Sequence, residues 1–323
     1  MHAPFRLPAA TRGALTTALL AAVALVATIP RPAEAQASGT TLDETVVPGK
    51  NYDKAEFRLW YPSEAGPFQS VVVLVPGSNG DGRSMVEDTV WRAFAVKHHA
   101  ALVGCRFTDK PHDQNFIEEY VNVSQGSGQA LLDVLGTFAT RAQHPELASA
   151  PLFLWGMSAG GEFDYEFVAW KPERVIAFVV NKGGIYYTAL ASRAARDVPG
   201  LLFIGGKDLE SRVNTITGLF ALNRRAGALW ALTEEPSATH IVGRSRDLGA
   251  MSFEDVLALR LDAAHGGPLR TLAEKSGYYG DVHAKTIQPV GDSRAPANPV
   301  AWLPTQRIAR AWQAVVTEKP FEQ

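Results

Sequence analysis

Leu152-Phe153-Leu154-Trp155-Gly156-Met157-Ser158-Ala159-Gly160 is the stretch that decides the fold. Its four leading apolar residues read as a buried strand, and the segment from Glu162 to Trp170 can wind as a helix, so Ser158 stands where a strand turns sharply into a helix. A turn of that kind lifts a hydroxyl above the end of a sheet, where it can attack a carbonyl. The glycines have a steric purpose, because the reversal brings neighbouring backbone close and drives the serine itself to a positive φ.

Working outward, the same alternation recurs on both sides. Val71-Val72-Val73-Leu74-Val75 is wholly apolar and ends at Pro76-Gly77-Ser78-Asn79-Gly80, as expected of a strand buried on both faces in the middle of a parallel sheet. Helical patterns over 85–97 and 128–142 lead to strands at 101–105 and 151–155. Further strands are predicted at 175–180, 201–204 and 228–232, with helices over 214–226 and 253–261. Strands separated by helical segments are βαβ units, whose crossovers demand an α/β fold with a mainly parallel central sheet flanked by helices. The stretch 55–61 adds a strand stopped by Pro62, and 38–50 reads as a polar leader into the fold. Glycine and proline accumulate between Gly266 and Pro299, after which 305–316 supplies a C-terminal helical extension, with Trp302 and Trp312 as packing anchors. The short interval between Val180 and Leu201 leaves no room for a large lid. No repeat or linker divides 38–323, so a single domain is expected there.

The first 37 residues are of another kind. Arg6 and Arg12 precede a small-apolar run from Gly13 to Ile29, and Ala33-Glu34-Ala35 and Ala35-Gln36-Ala37 both offer an A-x-A processing site. This reads as an export signal removed near residue 37, rather than as a membrane anchor, and puts the mature chain in a secreted or periplasmic setting. The formal net charge of -2 gives no electrostatic reason to expect nucleic acid or an anionic membrane as partner. Cys105 is the sole cysteine, so no intramolecular disulfide forms, and its apolar surroundings mark it as structural. The glycine loop after Val75 lacks the lysine and hydroxyl pattern of a phosphate cradle, so no nucleotide cofactor is expected. Asp109, His112 and Asp113 are close in sequence but fall in a proline-containing surface loop, and no metal site is expected.

A serine hydroxyl is a weak nucleophile near neutral pH and needs a base within hydrogen-bond reach, usually a histidine oriented by a carboxylate. In open parallel sheets such groups gather beyond the carboxyl ends of the strands. Asp208 follows the apolar run Leu201-Leu202-Phe203-Ile204 after two glycines and is the expected acid, with Glu210 as a rival. His240 lies in the polar loop after the next strand and is the expected base, with His283 as the leading rival; His112 and His265 also stay open. An oxyanion formed at Ser158 needs donors already aimed at it, for which the backbone N–H groups of Ala159 and Ser78 are the candidates. Asn79, Phe107, Phe116, Glu118, Lys182 and Tyr186 follow strand ends and are candidates for the walls of a substrate cleft.

Over about residues 55–263 the sequence resembles the α/β-hydrolase superfamily, in particular its secreted serine-esterase and polyhydroxyalkanoate-depolymerase-like branch. The loop Pro76-Gly77-Ser78-Asn79-Gly80, the elbow Gly156-Met157-Ser158-Ala159-Gly160, Gly206-Lys207-Asp208 and His240 carry the resemblance. Pro76 stands where a histidine is common in such loops. The resemblance implies an α/β-hydrolase fold and a Ser158-Asp208-His240 triad that cleaves small or oligomeric carboxylic esters through an acyl-enzyme, without a cofactor. A serine peptidase is the enzymatic alternative, and a catalytically silent envelope binding protein on the same scaffold is the alternative of another class.

Overall fold

The structure is a computed structural model that describes residues 1, 38–63, 66–114, 117–261, 267–291 and 296–322. The chain divides into two compact units, Met1–Ala35 and Gln36–Gln323, and the second holds every helix and strand among the described residues. The expected signal, together with Phe116 and His265, lies outside the described residues.

Eight strands form the main sheet: β1 (Gly39–Val46), β2 (Lys54–Pro62), β3 (Ser70–Val75), β4 (Ala100–Thr108), β5 (Leu152–Met157), β6 (Val175–Asn181), β7 (Gly200–Gly205) and β8 (Trp230–Glu235). They lie in the order β1-β2-β4-β3-β5-β6-β7-β8. β2 runs antiparallel to both its neighbours, and every other pairing is parallel. The sheet is mainly parallel, as expected of an α/β fold.

The alternation of side chains along β3 explains the three layers. Val71, Val73 and Val75 enter one core, and Val72 and Leu74 the other, all at 1 % exposure or less. The first core is closed by α2 (Ser127–Ala142), α3 (Ala159–Trp170) and α5 (Glu210–Arg225), through Leu131, Phe138, Phe163, Phe167, Ile216 and Phe220. The second is closed by α1 (Thr89–Lys97), α6 (Ser245–Arg260) and α7 (Gln306–Val316), through Trp91, Phe94, Phe253, Val256, Ile308 and Trp312. Burial of both faces removes a strand's polar alternation, which is why these strands read as continuous apolar runs.

Three departures from the sequence reading have physical causes. The stretch expected as a polar leader is the edge strand β1, whose residues are mostly exposed and which is held by its ladder to β2 and by the Asp43–Arg58 ion pair. The helix expected over 85–97 is split by Asp88, whose carboxylate accepts from the backbone N–H groups of Val90 and Trp91 and so caps α1 separately from a 3-10 turn at Arg83–Glu87. The weak-pattern region after Gly266 contains a second sheet of β9 (Tyr278–Asp281), β10 (Thr286–Pro289) and β11 (Ala301–Leu303), in the order β10-β9-β11. Trp302 and Trp312 are both buried. Their indole N–H groups donate to Glu274 O and Leu232 O, each at 2.9 Å, so they anchor packing as expected. Between β6 and β7 the only helix among the described residues is α4 (Arg193–Arg196), which leaves the carboxyl edge without a large lid.

The junction of β5 and α3 is the tightest backbone approach in the sheet's centre. A Cβ on Gly160 would lie 2.2 Å from Val75 O and 2.5 Å from Pro76 O, and one on Gly156 would lie 2.2 Å from Gly160 C and O. These are backbone atoms of β3, of the residue after it and of α3, and cannot swing aside. Gly160→Ala is expected to cost about 1–3 kcal/mol of stability through overpacking, read as a lower urea midpoint with an unchanged slope.

Candidate active site

β5 and β6 end level, and β7 and β8 run two residues further: Met157 pairs with Asn181, Asn181 with Phe203 and Phe203 with Thr233, after which Gly205 still pairs with Glu235. The turns beyond these strands therefore share one edge, and three of them carry the side chains expected to act together.

Ser158 follows β5 with φ 54° and ψ -124°, the strained turn its sequence setting requires, and the residue is half-buried. Its N–H donates to Asn181 O at 2.7 Å, and its carbonyl accepts from Glu162 N–H to start α3. Gly77 passes directly over it, so that a Cβ there would be 3.5 Å from Ser158 Cβ.

Asp208 follows β7 through the Gly205-Gly206-Lys207 turn, in which Gly206 and Lys207 donate to Glu235 O and Ala238 O, both at 2.9 Å. Those bonds tie the acid-bearing turn to the loop after β8. Within that loop His240 Nδ1 meets Asp208 Oδ2 at 2.8 Å, with the carboxylate buried and the imidazole 29 % exposed. Asp208 Oδ1 accepts from Leu209 N–H at 2.7 Å and from Arg212 Nη1 at 3.2 Å. Burial works to raise the Asp208 carboxyl, but the hydrogen bonds from His240 and Leu209, the charge of His240 and the hydrogen bond from Arg212 outweigh it and hold the group below its ordinary value. Asp208 is thus an ionised acceptor that holds the ring through Nδ1. The rivals fall elsewhere: Glu210 is exposed at the start of α5, and His283 is exposed in the turn between β9 and β10.

No hydrogen bond joins Ser158 Oγ directly to His240 among the described residues. Asn181 connects them: its carbonyl takes the Ser158 N–H, and its Nδ2 donates to Val242 O at 3.1 Å, two residues beyond the histidine. Catalytic hydrogen bonds in ligand-free sites are commonly long and shorten when substrate is bound.

The backbone N–H of Ala159 opens α3 and has no acceptor within the helix. In the facing loop the N–H of Asn79 is taken by the Tyr120 hydroxyl at 3.2 Å, whereas that of Ser78 makes no bond among the described residues. Of the two neighbours, Ser78 is therefore the donor left available. Asn79 Oδ1 accepts from Asp109 N–H at 2.7 Å, and Asp109 accepts from Tyr120 N–H, which ties this loop to 109–120. An open cleft of about 370 Å³ lies against it, lined by Ser78, Asn79, Asp109, His112, Gln114 and Glu118 among others. Asn79 and Glu118, two of the residues expected to wall a substrate cleft, both line this one.

Two expected wall residues do not. Phe107 is core: it stacks on Tyr120 and Phe163 at 5.7 and 5.1 Å and meets Phe57 edge-on at 5.3 Å. Lys182 is wholly buried and paired with Glu235. Its place after a strand end suggested the cleft, but an ammonium partnered 53 residues away in sequence cannot be recognised from local pattern. Tyr186 is half-buried with its hydroxyl turned inward and unbonded.

Sequence reasoning also passed over the carboxylates of α3. Glu162 accepts from Gly184 and Ile185 N–H, and Glu166 from Tyr187 and Thr188 N–H, so two glutamates one turn apart hold an irregular segment that has no ladder of its own. Burial pushes Glu162 up to about 7, and the nearby Glu118 charge adds to it, although the two N–H groups and Arg212 pull the other way. The periodic placement of Glu162 and Glu166 was the available signal.

No family model matches the chain, and no curated protein matches it by sequence. Among solved structures it is similar to one titled as a thermostable esterase, at 16 % identity and TM-score 0.48, covering 60 % of this chain and 54 % of the other. It thus spans about half the length of that protein. It is also similar to LpqC, a poly(3-hydroxybutyrate) depolymerase from Bordetella parapertussis, at 16 % identity and TM-score 0.49, covering 71 % of this chain and 92 % of the other. At such identity neither likeness assigns a residue or an activity to this chain.

Two outcomes are expected from this geometry. Ser158→Gly relieves the positive-φ strain and is expected to raise the unfolding free energy by about 1 kcal/mol, measured by urea denaturation. For Glu162, the folded chain holds a proton that the unfolded chain has released between pH 4.5 and about 7. Its contribution therefore falls as pH rises through that window, by about 3 kcal/mol. Glu162→Gln lacks that slope, so melting temperatures across pH 4.5–8 should show the variant gaining on the wild type as pH rises.

Proposed function

We propose that the protein is a serine hydrolase that cleaves carboxylic esters through an acyl-enzyme. The observation that carries this reading is the Asp208–His240 bond of 2.8 Å, placed on the same sheet edge as a serine held at positive φ. A structural histidine needs no buried, ionised acceptor behind it.

In this reading His240 Nε2 takes the Ser158 hydroxyl proton as Oγ attacks the ester carbonyl, while Asp208 supports the imidazolium that forms. The carbonyl oxygen becomes an oxyanion against the N–H groups of Ala159 and Ser78. His240 returns the proton to the departing alcohol, then deprotonates a water that attacks the acyl-enzyme, and Ser158 is released with a carboxylic acid. No metal or cofactor takes part in these steps.

The surroundings suggest an asymmetric substrate. Leu209, next to Asp208, is 60 % exposed, and Ile241 and Val242, next to His240, are 52 % and 42 % exposed, so an apolar rim borders the acid and base. On the other side of Ser158 lies the polar cleft of Asn79 and Glu118. A small or oligomeric ester with one apolar and one polar portion fits this pair of flanks. The N-terminal sequence over 1–37 supports export, to the periplasm or beyond, as a cleaved signal.

Wild-type protein should turn over a short-acyl p-nitrophenyl ester, and Ser158→Ala should fold normally and lose that turnover. Asp208→Asn should reduce kcat by about 10³–10⁴-fold, the scale seen when the orienting carboxylate is made neutral. Equal rates in wild type and Ser158→Ala would refute the nucleophile; amide cleavage without ester turnover would replace esterase by peptidase.

A further inference from the structure

We infer that Glu235 and Lys182 form a latch that sets the position of His240, a positioning role that rests on the reading of His240 as the base. Residues 236–244 make a loop without helix or strand between the end of β8 and the start of α6. A general base must be held within about 0.5 Å of its working position, and an irregular loop does not do this by itself.

Glu235 closes the loop on itself. It is the last residue of β8, and its Oε1 accepts from the backbone N–H of Arg244 at 2.6 Å, so a side chain at the loop's entrance binds the main chain at its exit. Gly243 allows that closure: it has φ 57°, and a Cβ there would lie 2.3 Å from Glu235 Oε1. Glu235 Oε2 accepts from Lys182 Nζ at 2.5 Å, with the two side chains 7 % and 0 % exposed. Lys182 Nζ also donates to Asn181 Oδ1 at 3.0 Å, and Asn181 is the residue that binds both Val242 O and the Ser158 N–H. One unbroken path of hydrogen bonds thus runs from the nucleophile's own amide through Asn181 and Lys182 to Glu235 and back to the mouth of the base loop.

The chemistry of the pair favours positioning over mere adhesion. A buried ion pair is repaid for lost hydration only when its geometry is good and its remaining sites are bonded, and an apolar pair of the same volume commonly serves stability as well. What an apolar pair cannot supply is a directed acceptor for the Arg244 N–H and a directed donor for Asn181. The loop's outer side is held separately, by Ser237 N–H on Glu318 at 3.0 Å and by Arg244 Nη1 on Ala314 O and Lys319 O at 3.1 and 2.7 Å. Loss of Glu235 therefore loosens the inner side without detaching the loop.

The test compares full-length wild type with Glu235→Ala, Glu235→Gln and the double variant Lys182→Met/Glu235→Gln, by ester kinetics and by native-state hydrogen exchange at the Arg244 amide. Glu235→Ala should lower kcat about 30–100-fold, the scale of a displaced catalytic group, with KM within twofold. Arg244 exchange should be at least about tenfold faster, with Leu202 and Phe203 in β7 unchanged. Glu235→Gln keeps a carbonyl for the Arg244 N–H and should recover kcat to within about fivefold of wild type. The double variant keeps that carbonyl but loses Lys182, and should fall about tenfold; it decides the matter if Glu235→Ala does not fold. A folded Glu235→Ala with kcat within threefold of wild type, a double variant with wild-type kcat, or a rate loss that only follows the folded fraction would overturn the latch. Absence of ester turnover in the wild type defeats the ester reading instead, and unchanged Arg244 exchange in Glu235→Ala defeats the latch whatever the substrate.

Discussion

The bend at Ser158 exists because nothing projects from Gly156 and Gly160. With backbone atoms of β3 and α3 within 2.2 Å of where a side chain would begin, the first turn of α3 can sit down between β5 and the end of β3. Everything else at the site is referenced to that contact. It fixes the place of the serine at the end of β5, sets Ala159 at the start of α3, and leaves Gly77 close to the serine Cβ. The cost is carried locally, as backbone strain at a single residue, while the three-layer core on either side supplies the rigidity that sustains it.

The sheet edge then converts strand order into proximity. Because β5, β6, β7 and β8 are neighbours, residues 158, 181, 208 and 240 all fall at one edge of the sheet without any long excursion of the chain. What differs among them is the local support. Asp208 is held by its own turn, by a helix residue and by the histidine. His240 stands on a loop, and its support comes from side chains reaching in from β6, from β8 and from the segment after α7.

This division explains what was readable in the sequence. Strands buried on both faces announce themselves as apolar runs, and the glycine-flanked serine, the acid after β7 and the histidine after β8 follow from chain order alone. Elements whose stability comes from neighbours gave no such signal. β1 is mostly exposed and exists through its pairing. α6 begins at Ser245, earlier than the apolar pattern suggested, because Ser245, Gly249 and Ser252 form part of its buried face. Long-range polar partners were equally hidden: Lys182 and Phe107 both follow the logic of strand ends, yet one is neutralised by Glu235 and the other is surrounded by aromatic rings. Asn181 was the clearest missed opportunity, since a lone amide closing an otherwise apolar strand at the functional edge asks for a partner.

Cys105, the chain's single cysteine, is wholly buried in β4, and burial pushes its thiol well above the ordinary range. The folded protein is therefore chemically silent towards maleimides. A cysteine introduced at an exposed position such as Val242 would accept one dye per molecule with no background, and its fluorescence would follow the motion of the histidine-bearing segment in real time.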